Sequence, residues 1–225
     1  MMPNVAPMLY ICTVEGMTAD DCTGGAPRLA PLPNDQWGAE HVEALRDAFP
    51  DKAVAAFQQP GQAPNVLATM LHNPALAGPF NRFGNVLLQH PATGHRAREL
   101  MLLRVAWRTR ARYEWVHHVR LAERYGLTKD DVAAIAVGFS ESWAPLERDL
   151  VAATDELLDH YRIEADTWNR LAEALDERQL VELPLIVGTY ACLAMAFNSW
   201  GLQVEDGVDT SGVPALPTSV FTPLS

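Results

Sequence analysis

The stretch HRARELMLLRVAWRTRARYEWVHHVRLAERYG, residues 95–126, decides the fold class. Its first half repeats apolar residues with the spacing of one helix face, at Leu100, Leu103, Ala106 and Trp107. Its second half ends at Gly126, and glycine commonly closes helices. We therefore predict two consecutive helices, over 96–109 and 112–125, that pack as an antiparallel pair.

Helical signals also dominate the rest of the chain. Thr128 and Asp131 have the spacing of a capping box, which predicts the start of the next helix. Asp176 and Gly201 mark the ends of a long apolar helix. Because no segment alternates like a strand, the predicted fold is all-α, a compact bundle of about eight helices.

The predicted domain organisation has three parts. Residues 1–33 are rich in Pro, Gly and small polar residues and are expected to form an irregular N-terminal extension. Residues 34–204 form the helical domain, which begins with a helix over 34–49, and residues 205–225 form a Pro-rich C-terminal tail. Near the start of the domain, Asn65 is expected to cap a short helix that Pro74 ends, and a further helix is expected from about Pro79 to Gln89.

Composition and charge limit the classes of partner. The chain is 48% hydrophobic and 20% charged, as in globular proteins, and its net charge of −11 disfavours nucleic acid and anionic membranes. Residues 91–124 nevertheless carry eight arginines against three acids, Glu99, Glu114 and Glu123. Such a basic zone can hold an anionic small molecule or can pair with acidic helices of the same protein.

The cysteines and the apolar segments suggest a soluble cytoplasmic protein. Cys12, Cys22 and Cys192 are odd in number and lack C-x-x-C spacing, so neither a disulfide framework nor a structural zinc site is indicated. The N-terminus lacks the pattern of a signal peptide. The apolar run at 183–197 is short for a membrane span and favours a helix buried on all sides, with Cys192 in the core.

The stretch EWVHH, residues 114–118, contains the candidate chemistry. Glu114 and His118 are four residues apart and share one helix face, and the antiparallel arrangement brings Glu99 toward them. A histidine beside carboxylates suits proton transfer near neutral pH. The alternatives at this point are an exposed Glu–His pair on a helix surface and a metal site, which usually needs more ligands.

The segment from Arg98 to Ile135 strongly resembles the carboxymuconolactone decarboxylase family, which shares its fold with alkylhydroperoxidase D-like proteins. The likeness continues through LVAATDELL at 150–158, DERQLVEL at 176–183 and YACLAMAFNSWG at 190–201, and it includes the preceding PNVLATMLHNPALAGPFNRFGNVLL. The resemblance implies the alkylhydroperoxidase D-like fold. It also implies a homo-oligomer (a dimer, trimer or hexamer), across which the tail at 213–221 could lie.

The peroxidase-type relatives carry C-x-x-C followed by a histidine, with a glutamate on the preceding helix. Glu99 and His118 match that glutamate and histidine, whereas Ala111 and Glu114 occupy the two cysteine positions. Without the two thiols, the thiol-based peroxidase cycle cannot operate. The resemblance then implies acid–base chemistry of the decarboxylase kind, without a cofactor or metal.

In this interpretation His118 is the proton donor, and Glu114 or Glu99 orients its ring. Arg104 or Arg112 would hold an anionic substrate, and Tyr113 and Trp115 are further candidates for contacting it. His117, about 100° away around the helix, is expected at the surface or at an interface. Three hypotheses follow: a lyase or isomerase acting on a small carboxylate or lactone, a peroxide-related redox protein, and a non-catalytic helical module.

Overall fold

The helices account for all regular structure in the described part of the chain. The computed structural model describes residues 26–217, and within them it contains ten α-helices and no β-strand. The prediction of an all-α fold is therefore confirmed, although with more helices than expected. The helices are α1 (Ala39–Arg46), α2 (Asp51–Phe57), α3 (Asn65–Met70), α4 (Pro74–Gln89), α5 (His95–Thr109), α6 (Arg112–Leu121), α7 (Lys129–Val137), α8 (Pro145–His160), α9 (Ala165–Ala174) and α10 (Glu177–Trp200).

Helix α5 is the central element of the bundle. Every residue from Arg98 to Ala106 is buried, and the helix packs against α6, α7, α8 and α10. One apolar cluster joins α5 to α8, α9 and α10, and a second joins it to α6 and α7. A third cluster holds α1 to α4 together. Burial on all sides of α5 also encloses its charged residues, which must find partners inside the protein.

The start of the domain differs from the sequence prediction. Residues 34–36 form a short 3-10 helix, and α1 begins only after Gly38. Pro74, expected to end a helix, instead begins α4, and Pro79 lies inside that helix. The reason is local, because Asn73 caps α4 by accepting a hydrogen bond from the Leu76 amide, and proline is favoured at the first helical position.

Helix α10 has one buried and one exposed face. Its predicted ends are confirmed, since Asp176 and Gln179 form a capping box and Gly201 closes the helix in the left-handed conformation. The expectation of burial on all sides was wrong, because Val181, Leu185 and Met195 are exposed and so is Cys192. By length and composition alone, this helix could also cross a membrane; its mean hydropathy is 1.8.

The segments that flank the helices pack on the domain. The backbone amides of Arg28 and Leu29 donate to the carbonyl oxygen of Trp200. After α10 the chain returns along α6, where the Trp115 indole donates to the carbonyl oxygen of Pro214 at 2.7 Å. The beginning of the tail therefore lies against its own domain, and the contact expected for 213–221 with a neighbouring subunit extends beyond the described residues.

Candidate active site

The turn between α5 and α6 sets the geometry of the site. Helix α5 ends at Thr109, Arg110 adopts the left-handed conformation, and α6 begins at Arg112. This tight turn folds α6 back along α5, so that Glu99 and His118 meet although they are 19 residues apart in sequence. The contact confirms the predicted antiparallel pair.

His118 is held by Glu99 on the neighbouring helix. Its Nδ1 lies 2.6 Å from Oε1 of Glu99, whose side chain is fully buried. A carboxylate that accepts from one ring nitrogen fixes the tautomer of the ring. His118 lines a cavity, and its Nε2 has no hydrogen-bond partner among the described residues. The second nitrogen is therefore free to exchange a proton with a molecule in that cavity.

Arg98 lies behind Glu99 and completes a buried charged row. Its Nη2 donates to Oε2 of Glu99 at 2.6 Å, and its side chain is also fully buried. The remaining guanidinium contacts include the Leu88 carbonyl oxygen, His95 Nδ1 at 3.0 Å and the ring face of Tyr125. Each oxygen of the Glu99 carboxylate thus has its own partner, Arg98 on one side and His118 on the other.

The two partners of Glu99 decide its charge. Burial acts to raise the pKa of the Glu99 carboxyl, but the nearby His118 and Arg98 outweigh burial and hold the pKa below its usual range. For Arg98, burial acts to lower the pKa and Glu99 reverses that effect, so the pKa is raised. The pair is therefore ionised, and Glu99 presents a negative charge to the imidazole at neutral pH.

Glu114 does not behave as the sequence analysis expected. It lies on the same face of α6 as His118, but no hydrogen bond joins the two side chains. Both carboxyl oxygens of Glu114 are buried without any hydrogen-bond partner in the described part of the chain. Burial raises the pKa of this carboxyl well above its usual range. Glu99 alone orients His118, and Glu114 is a buried carboxyl without a partner among the described residues of the same wall.

The cavity beside these side chains has a volume of about 290 Å³. It lies between α6 and α10 on one side and the α2 to α4 region on the other. Its walls are mainly apolar and aromatic, and they contain no arginine or lysine among the described residues: they are formed by Phe49, Phe57, Pro64, Val66, Leu67, Met70, Phe80, Asn81, Gly84, Asn85, Leu88, Tyr113, Glu114, His117, His118, Tyr190, Leu193 and Phe197. A small molecule with an apolar body fits such a cavity.

A second polar group in the cavity wall was missed by the sequence analysis. His117 was expected at the surface or at an interface; its side chain is partly exposed and also lines the cavity, and its Nε2 lies 2.8 Å from Oε2 of Glu205. The other oxygen of Glu205, Oε1, accepts hydrogen bonds from the Tyr113 hydroxyl at 2.6 Å and the Asn65 amide at 2.7 Å. Burial acts to raise the pKa of Glu205, but His117, Tyr113 and the Asn65 amide together lower it to about 2.

The chain resembles known proteins in sequence and in fold. Residues 74–156 match the Carboxymuconolactone decarboxylase family model. A search among curated proteins returned no match.

Two solved structures share the fold of this chain. An uncharacterized peroxidase-related protein from Ralstonia eutropha JMP134, with an alkylhydroperoxidase AhpD core, is 17% identical, covers 83% of this chain and 98% of its own, and gives a TM-score of 0.64. An uncharacterized peroxidase-related protein from Silicibacter sp. TM1040 is 14% identical, covers 86% of this chain and 97% of its own, and gives a TM-score of 0.65. At these identities the likeness concerns the fold alone.

The arginines of the described residues do not line the cavity. Arg104 was expected to bind substrate, but its guanidinium lies against Asp155, with both bonds at 2.8 Å, and against the Ile135 carbonyl oxygen. Arg112 is exposed at the start of α6. For Arg104 the reason is that Asp155 of α8 pairs with it from within the protein.

The other two residues predicted to contact substrate, Tyr113 and Trp115, face different parts of the protein. Tyr113 lines the cavity, although its hydroxyl donates a hydrogen bond to Glu205. Trp115 points the other way, into the apolar cluster between α5 and α7, where it is 1% exposed. Adjacent positions on a helix differ by about 100°, so Tyr113 and Glu114 can face the cavity while Trp115 faces the core.

The described residues of this wall include no cysteine. Ala111 and Glu114 stand at the two positions where the peroxidase-type pattern has cysteines, and Cys192 is exposed on α10. Cys12 and Cys22 lie outside the described residues. Over residues 26–217, no group of three or more His, Cys, Asp or Glu side chains is arranged to hold a metal ion. The groups available in the wall are therefore those of proton transfer.

Proposed function

We propose that this protein is a cofactor-independent lyase or isomerase that moves a proton at a carbon conjugated with, or next to, the carbonyl group of a small lactone or related compound. The observation that carries the proposal is the Arg98–Glu99–His118 row, which ends at the wall of a largely apolar cavity. A histidine oriented by a buried carboxylate is a common general acid or base.

The same residues serve two related reactions. In a decarboxylation, the bond between the substrate and its carboxyl carbon breaks, carbon dioxide leaves, and the electron pair remains as a dienolate. His118 then gives its proton to the dienolate carbon. In an isomerisation, His118 first takes the proton from carbon and returns it at the other end of the conjugated system. In both reactions Glu99 stabilises the protonated imidazole, and no electron acceptor is needed.

The test uses a neutral lactone whose isomerisation passes through such a dienolate. α-Angelica lactone becomes its β-isomer by losing a proton beside the carbonyl and gaining one at the γ-carbon. We expect the protein to accelerate this change above the buffer rate, as followed by proton NMR in deuterium oxide. His118→Ala should reduce the rate roughly 10²- to 10⁴-fold, the usual contribution of a general acid or base. A wild-type rate equal to that of buffer, or an undiminished rate in His118→Ala, would reject the proposal.

The names of the two structural neighbours point to a second candidate, a peroxide-related protein. A thiol peroxidase needs an attacking and a resolving cysteine, and this chain has Ala111 and Glu114 where the pattern has them. We expect no peroxide consumption that depends on Cys192. Turnover of hydrogen peroxide by the wild type that is lost in Cys192→Ser would favour the redox function instead. Absence of both activities would favour a non-catalytic helical module.

We also propose that the protein is a homo-oligomer. The exposed side of α10 supports this, because Val181, Leu185, Gly188, Cys192 and Met195 recur at intervals of three or four residues and so form one stripe. An exposed apolar stripe of this kind commonly packs against another subunit. Light scattering should give a multiple of the 24.8 kDa chain mass, and Leu185→Glu should lower it. A wild-type mass of one chain would contradict the proposal.

A further inference from the structure

Glu114 is the one carboxyl of the cavity wall with no partner in the described chain. It is 3% exposed, and neither of its oxygens accepts or donates a hydrogen bond. A buried polar group without a partner costs free energy, because it loses its bonds to water and gains none in return. Glu114 lines the cavity although both of its oxygens are covered, so a rotation of the carboxyl toward the cavity lets a molecule bound there supply the missing partner.

No positive charge lies against the Glu114 carboxyl. His118, its neighbour on the same helix face, is directed to Glu99, and His117 is directed to Glu205. No arginine or lysine of the described residues lines the cavity. A carboxylate ion in this position would be buried and uncompensated, which is far more costly than a buried neutral acid. Burial accordingly raises the pKa of Glu114.

A neutral carboxylic acid offers one O–H donor. The ligand group that suits this donor is an uncharged oxygen acceptor such as the carbonyl of a lactone, ester or ketone. A ligand carboxylate is less suited to this position, because it would enter an apolar cavity that has no arginine or lysine to meet its charge.

We propose that Glu114 donates a hydrogen bond to the carbonyl oxygen of an uncharged ligand, and that the substrates of this site are therefore small lactones, esters or ketones with an apolar body. The inference rests on the proposed function and narrows its substrate class, because an uncharged substrate is compatible with the isomerisation and not with the decarboxylation of a carboxylate. When His118 removes a proton beside the carbonyl, the electron pair moves onto the carbonyl oxygen. The Glu114 O–H then faces the atom on which negative charge accumulates, and this stabilises the dienolate.

Two probes of nearly equal shape separate an uncharged ligand from an anionic one. Benzylacetone and hydrocinnamate share a phenylethyl body and differ in a methyl ketone against a carboxylate. We expect isothermal calorimetry at neutral pH to detect binding of benzylacetone and to find hydrocinnamate at least tenfold weaker. Equal or tighter binding of hydrocinnamate, or no binding of benzylacetone, would overturn the proposed ligand class.

Two variants of Glu114 test the hydrogen bond itself. Glu114→Gln keeps an uncharged donor of similar shape, whereas Glu114→Leu removes it. Benzylacetone should bind Glu114→Gln within about threefold of the wild type and Glu114→Leu about 5- to 30-fold more weakly, since one neutral hydrogen bond to a buried group is lost. Equal affinity of Glu114→Leu and the wild type, or equal damage by both substitutions, would contradict the inference.

An infrared measurement tests whether Glu114 is protonated. It needs no ligand and does not depend on whether Glu114→Leu folds. The wild type at neutral pH should show the carbonyl stretch of a protonated carboxylic acid that is missing in Glu114→Gln, and its absence from the wild type would also overturn the inference.

His118→Ala separates this inference from the proposed function. If the proposed function alone fails, benzylacetone binding still depends on Glu114 while the lactone is not turned over. If the inference alone fails, turnover of the lactone depends on His118 while the affinity for benzylacetone is unchanged by substitution of Glu114.

Discussion

Two histidines that are adjacent in the sequence each meet a glutamate, and the surroundings of the two pairs differ. His118 lies 2.6 Å from Glu99 of α5, whose side chain is fully buried. His117 lies 2.8 Å from Glu205, whose side chain is 22% exposed and belongs to the segment after α10. The first pair joins two core helices, whereas the second joins α6 to a chain segment that has no regular structure.

The partners behind each glutamate give the two pairs different tasks. Glu99 is backed by the fully buried Arg98 and uses one oxygen for each neighbour, so its position is fixed from within the core. Glu205 accepts from the Asn65 amide and the Tyr113 hydroxyl, and thereby ties α3, α6 and the C-terminal segment together. We propose that the Glu99 pair serves proton transfer, while the Glu205 pair holds together the chain segments around the cavity.

Kinetics of the two histidine variants test this division most strongly. In the α-angelica lactone assay, His118→Ala is expected to lose roughly 10²- to 10⁴-fold in kcat/KM, because the proton-transfer group is gone. His117→Ala should stay within about tenfold of the wild type, since that side chain lines the cavity without the buried relay behind it. Similar losses in both variants would remove the distinction.

The stability of the Arg98–Glu99 pair provides the second test. Arg98→Met or Glu99→Met alone should each lower the free energy of unfolding by about 3 to 5 kcal/mol, because each leaves a buried charge without its counterion. The double variant should lower the free energy of unfolding by clearly less than the sum of the two single effects. It contains neither charge, so no buried charge is left without its counterion. Chemical denaturation measures all four proteins. Additive costs would show that the two charges do not depend on each other.

The pH dependence of stability gives the third test, at Glu205. Its pKa in the folded protein is lowered from 4.5 to about 2, so its stabilising effect is complete above the ordinary pKa and disappears as the pH falls toward 2. Glu205→Gln should therefore be less stable than the wild type by about 1 to 3 kcal/mol at pH 7, and the difference should shrink between about pH 5 and pH 2. A difference that is independent of pH over this interval would contradict the expected role of the carboxylate.

The sequence predicted those parts of the site that depend on local spacing. Glu114 and His118 share a face because they are four residues apart, and Glu99 reaches His118 because a short turn joins two long helices. The capping box of Thr128 and Asp131 is likewise confirmed. Such features require knowledge of one helix or of two neighbouring ones.

The sequence could not predict contacts that depend on how distant segments pack. Glu205 is 92 residues from Tyr113 and lies in a segment without periodicity, so nothing marked it as part of the site. Arg104 could be assigned to a substrate only while its partner Asp155, 51 residues away, was unknown. The unpartnered state of Glu114 was equally invisible, since spacing shows which residues share a face and not which of them form a hydrogen bond.

The most direct test of the central claim, that Glu99 prepares His118 for proton transfer into the cavity, is nitrogen NMR of the labelled histidine rings, with His118→Asn to assign the signals. At a pH where the ring is neutral, Nδ1 should carry the hydrogen and donate to Glu99. Nε2 should carry none, and its resonance should shift when benzylacetone is added. A hydrogen on Nε2 in the neutral ring, or an Nε2 resonance that does not shift when benzylacetone is added, would contradict the account.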